Sequence, residues 1–153
     1  MLRFAVVLAL AGCVAQFKAA VIALPETFYP MGEHSGRTIC AMNGVPLIIV
    51  NPKVIGTIAE PLTLAHEEVH VQQLYHYKGG CIEGMKAYTT DKNVAVAWET
   101  QAYCATLAKA VAMELDITRF REVIREALRK DYNVDLNCDE QGTAQSVLGI
   151  NRR

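Results

Sequence analysis

The stretch Leu64-Ala65-His66-Glu67-Glu68-Val69-His70-Val71-Gln72-Gln73 decides how the rest of this 153-residue chain is read. It lies in a run from Pro61 to Lys78 that holds no Gly and no second Pro. Pro61 suits the first turn of a helix, and Gly79-Gly80 suit its end. On that helix His66 and His70 are four residues apart, so their Cβ atoms lie about 5–6 Å apart on one face. Two imidazoles so placed can each give a nitrogen to one Zn²⁺ at about 2.0–2.1 Å. Glu67, about 100° round the axis from His66, can sit beside the ion without binding it. From there its carboxylate can take a proton from a water that the ion activates. The competing reading is a surface helix that happens to carry two histidines. The helical context of the pattern favours the metal.

Outside this stretch, composition sets bounds. The length predicts one domain with a real core. A net charge of −1 and a pI near 6.4 do not fit a nucleic-acid binder, which would carry a basic surface. No repeat or low-complexity tract is present.

The N-terminus predicts export. Met1-Leu2-Arg3 precedes the apolar run Phe4–Ala11, and Leu10-Ala11-Gly12-Cys13 resembles the bacterial lipobox. Residues 1–12 are then a signal peptide, 13–153 the mature domain, and lipidated Cys13 a membrane attachment. The expected location is periplasmic or membrane-anchored; the alternative is a cytoplasmic or virion-associated protein with the segment folded in. Without Cys13 four cysteines are left, Cys40, Cys81, Cys104 and Cys138, and they allow three pairings among which sequence does not choose. None forms a C-x-x-C pair, so a cysteine-bound structural zinc is not expected.

Along the chain, Ala19–Leu24 is an apolar strand or the tail of a helix, and Glu26–Arg37 is loop. Thr38–Met42, Asn43-Gly44 and Val45–Val50 predict a β-hairpin with a two-residue type I′ turn. Pro46 lacks an N–H and marks its strand as edge or bulged. Such an edge strand before the metal helix can pair with an extended substrate backbone. A loop is expected through Gly84 to Thr90. Asp91 then caps a largely buried helix from Asn93 to about Leu115, and another helix spans Thr118 to Lys130. Arg121, Arg125 and Arg129 line one face of the latter, read as solvated with Glu126–Lys130 pairing. The tail from Asp135 is loop-like. Glu99 sits among apolar neighbours, where a carboxylate is costly unless paired or bound to metal.

Residues 38–115 resemble the small gluzincins of bacterial or phage type. The matching residues are His66, Glu67 and His70, then Trp98-Glu99-Thr100-Gln101-Ala102-Tyr103, with Gln72-Gln73 soon after the second His. The resemblance implies an α+β fold: a mostly helical zincin-like domain with an active-site helix, a second helix donating Glu99, and a small hairpin or sheet. It also implies a zinc metallopeptidase acting on a peptide or protein substrate. Many gluzincins have Asp four residues after the ligand Glu, to support a ligating His; this chain has Tyr103. The usual carboxylate support must therefore come from elsewhere or be absent. Tyr103, Tyr88, Tyr132 and His34 are candidates to stabilise an oxyanion, and Tyr103 is taken with Glu67 as a catalytic residue.

Two third ligands compete. His76 has the metzincin spacing, six residues after His70, but Gln73 stands where that family has the Gly that turns the chain. If the helix continues, His76 lies about 240° round the axis and points away. Glu99, on a separate helix, meets no such obstacle. The expected ligands are His66, His70 and Glu99. The non-enzymatic alternative is a metal that only staples two helices of a structural protein; Glu67 has no use there.

Overall fold

The computed structural model describes residues 20–23, 34–136 and 138. Within them the fold is α+β, mostly helical with one small mixed sheet, as expected. In order come β1 (Ala20–Ala23), β2 (Gly36–Cys40), β3 (Pro46–Val50), a 3₁₀ turn (Pro52–Val54), α1 (Ala59–His76), α2 (Gly80–Thr90), α3 (Lys92–Ala112) and α4 (Ile117–Tyr132). The export segment, Cys13, most of 26–37 and the tail beyond Cys138 lie outside the described residues.

The sheet order is β1-β3-β2, with β1 parallel and β2 antiparallel to β3. This corrects the expectation that Pro46 marks an edge. β3 is central, and its run Ile48-Ile49-Val50 is buried, as a strand covered on both faces should be. Pro46 is tolerated because it is the first residue of the strand. The edge strand beside α1 is β2.

The hairpin turn also differs from type I′. The Gly44 N–H donates to Ala41 C=O at 2.8 Å, and the Ala41 N–H to Val45 C=O at 2.9 Å, which leaves a three-residue loop. Gly44 alone has positive φ, +77°, whereas type I′ needs two such residues. Asn43 instead accepts the Val45 N–H on Oδ1 at 3.2 Å. The longer loop takes the type I turn with a left-handed Gly.

Helix α1 lies between the sheet and α3. Val71 packs on Ile48 and Val50, with Val54 and Leu64 around them. Its buried face also carries Thr63, Glu67 and His70, so it is not apolar throughout. α1 ends at His76. Gly79 and Gly80 follow at φ +104° and +81°, and these left-handed residues reverse the chain directly into α2.

The stretch expected as loop around Gly84 is α2. Gly84 is a packing residue: a Cβ there would lie 3.1 Å from both Leu74 Cδ2 and Tyr77 Cβ. Close approach of α2 to the end of α1 requires the missing side chain, and this contact overrides the low helix propensity of glycine. Cys81, at the start of α2, is bonded to Cys40 at the end of β2.

Asp91 caps α3 as expected, its side chain accepting the N–H groups of Asn93 and Val94. Asp116 caps α4 in the same way through Thr118 N–H. α4 covers α3 through Leu107, Ile124 and Leu128. Cys104 on α3 is bonded to Cys138 beyond α4. Arg129 pairs with Asp135 at 2.7 Å on the surface, and no Glu126–Lys130 pair forms. Among the described residues no helix is long and apolar enough to cross a membrane.

Candidate metal centre

α1 and α3 bring three donor groups to one point. His66 and His70, one turn apart on α1, have their Nε2 atoms 3.2 Å from each other. Glu99 reaches over from α3, with Oε2 3.4 Å from His66 Nε2 and Oε1 3.5 Å from His70 Nε2. A tetrahedral ion with bonds of about 2.0–2.1 Å sets its donors about 3.3–3.4 Å apart. The separations, two of them to different oxygens of Glu99, are close to that spacing, and the group His66, His70 and Glu99 could hold a metal ion. His76 is not in it. That residue is exposed at the last position of α1, beside the Tyr75 ring.

The electrostatics follow from the geometry. Burial opposes a charge on Glu99, but hydrogen bonds from His66 and His70 outweigh it and hold the carboxyl well below the usual carboxylate range. Burial likewise works against charge on His70, and the contact with Glu99 overcomes it, raising the imidazole above its ordinary value.

Each of the three donor groups has a partner behind it. His70 Nδ1 lies 2.9 Å from Gln73 Oε1. His66 Nδ1 faces Thr106 Oγ1 at 3.5 Å, while that hydroxyl donates to Ala102 C=O. Glu99 Oε1 accepts a short hydrogen bond from Tyr88, and the Tyr88 hydroxyl lies 3.3 Å from that of Tyr132. Burial and the Glu99 charge push the Tyr88 phenol up, so it stays a donor.

Glu67 is buried between α1 and β2. Its Oε2 accepts from Thr38 Oγ1 at 2.7 Å, which fixes the carboxylate on the edge strand. Gly36 lets β2 come this close: a Cβ there would meet Thr63 Cγ2 at 2.5 Å and Glu67 Cγ at 3.0 Å. Tyr103 lies edge-on to His66, ring centroids 4.7 Å apart. Burial, then the Glu99 charge, push its phenol up to about 12. Its hydroxyl forms no hydrogen bond among the described residues.

The three donors, Glu67, Tyr88, Tyr103 and Tyr132 line one cavity of about 340 Å³, together with Gly36, Arg37 and Thr38 of β2, Met85 and Thr89 of α2, Trp98 and His34. His66, Glu67, His70, Glu99 and Tyr103 are thus together, with Tyr88 and Tyr132 beside them. The sequence reading missed Thr38 and the role of Gln73. Gln73 carried a signal, since three residues after His70 is the same face of the helix. Thr38 carried none, because its reach to Glu67 depends on tertiary packing. Comparison with family models, with curated proteins and with solved structures finds no match to this chain.

Proposed function

We propose that the chain is a zinc-dependent metallopeptidase, with His66, His70 and Glu99 as ligands and Glu67 as general base. The observation that carries this reading is the buried Glu67, fixed by Thr38 in the same cavity as the three donors. A site that only stapled helices would not need a second, unliganded carboxylate there. Two imidazoles and one carboxylate are a donor set that suits zinc. When bound, the ion polarises a scissile carbonyl and makes a water nucleophilic at neutral pH.

Glu67 takes the proton of the attacking water and delivers it to the leaving amine. Thr38 occupies Oε2, which leaves Oε1 with no hydrogen bond among the described residues. Tyr103, protonated at neutral pH and with no hydrogen bond to its hydroxyl among the described residues, is the donor assigned to the developing oxyanion. An extended peptide fits along the outer edge of β2, whose Gly36, Arg37 and Thr38 border the cavity. The two disulfides support an oxidising compartment, in line with export and with membrane attachment through Cys13.

The test is a broad peptide library offered to the zinc-loaded protein and to Glu67→Gln. Wild type should cleave it. The variant should keep zinc and fold but not cleave. A wild type that cleaves nothing, or a variant that cleaves equally well, removes the peptidase reading.

A further inference from the structure

We infer that Gln73 is the positioning residue of His70, and that only an amide can do its work there. The inference rests on the metal-site reading above and concerns how that site is kept ready. Gln73 makes three contacts at once. Its Oε1 faces His70 Nδ1 at 2.9 Å. Its Nε2 donates to the Trp98 backbone carbonyl at 3.2 Å and to Gln101 Oε1 at 3.0 Å.

The Trp98 carbonyl can only accept, so the Gln73 NH₂ must point at α3 and its oxygen at His70. With His70 Nε2 given to the metal ion in the reading above, Nδ1 carries the hydrogen and donates it to Gln73, which fixes the rotation of the ring. The carboxylate that usually supports such a histidine would serve the first contact but fail the second, since its oxygen would face the Trp98 carbonyl. A leucine would serve neither. The same amide ties α1 to α3 one residue from Glu99, so His70 and Glu99 are held by one bracket.

The test has two readouts, neither of which needs peptide hydrolysis: Zn²⁺ affinity, measured by competition with a chelator, and the melting temperature of the metal-free protein. Gln73→Leu should weaken Zn²⁺ binding by about 10–100-fold, the range for an outer partner of a ligating histidine. Gln73→Glu keeps an acceptor for His70 but sets an oxygen against the Trp98 carbonyl, so it should keep most of the affinity and melt at a lower temperature than wild type. Gln73→Leu with wild-type affinity overturns the inference, as does Gln73→Glu melting like wild type. If Gln73→Leu does not fold, the melting temperature of Gln73→Glu decides. Should wild type bind no Zn²⁺, the metal-site reading fails, while the melting of Gln73→Glu still judges the amide bracket to α3.

Discussion

Glu99 Oε2 lies 3.4 Å from His66 Nε2, across the interface of two helices, although 33 positions separate the residues in the sequence. In the metal-free protein that carboxylate and the charged form of His70 stabilise each other, a role that a bound cation would take over. The two states therefore respond to pH in opposite directions.

For metal-free protein the sign follows from the two shifts. The raised value of His70 contributes stability that is full below about pH 6.5 and lost as pH rises through the raised value. The depressed value of Glu99 contributes stability that is present above about pH 4.5 and lost only in strong acid. The combined contribution peaks at about pH 4.5–6.5 and fades above neutrality. Zinc needs neutral imidazoles, so its stabilisation grows over the same rise. Melting curves with chelator should fall above neutrality, while the gain on adding zinc should increase. A zinc gain that shrinks with rising pH would contradict this.

Gly36→Ala tests the approach of the edge strand to the base. The new methyl would meet Thr63 and Glu67 at 3.0 Å or less. Stability should drop by about 1–3 kcal/mol, the usual range for overpacking, as read by urea denaturation. Zinc stoichiometry should hold, since none of the three donors is touched, while hydrolysis should fall because Glu67 is displaced.

Thr38→Val removes the hydroxyl that holds Glu67 and keeps the shape. A buried carboxylate losing one hydrogen bond should cost about 1–3 kcal/mol of stability. The turnover number should decline with zinc affinity unchanged. Unchanged turnover would mean that Thr38 does not position the base.

The disulfides close stretches with sequence separations of 41 and 34 residues. Chain-entropy arguments give each roughly 4 kcal/mol. Replacing Cys40 and Cys81 with Ser should lower stability on that scale and loosen α2, which carries Tyr88. Replacing Cys104 and Cys138 should cost a similar amount with less effect on zinc. Equal melting temperatures for all variants would contradict both bonds.

Much of the site could be read from residue type and spacing, because the chemistry is local. His66, Glu67 and His70 lie within one and a half turns of helix, and Glu99 was betrayed by its apolar neighbours. Asp91 was found by its position before an unbroken helical run. What escaped depends on contacts distant in sequence. Gly84 looks like a loop residue until Leu74 and Tyr77 are seen to need the space. Pro46 looks like an edge marker until β1 pairs with the far side of β3. The resemblance leads to a carboxylate behind a ligating histidine, but beside His70 the Trp98 carbonyl calls for an amide.

The central claim is that His66, His70 and Glu99 hold one metal ion. Calorimetric titration with Zn²⁺ tests it most directly, on wild type, Glu99→Ala and His76→Ala. The account predicts one ion per chain for wild type and His76→Ala. For Glu99→Ala it predicts an affinity reduced by more than about 100-fold, beyond what loss of an outer partner costs. A wild type that binds no zinc would contradict it, as would Glu99→Ala binding like wild type or His76→Ala losing the ion.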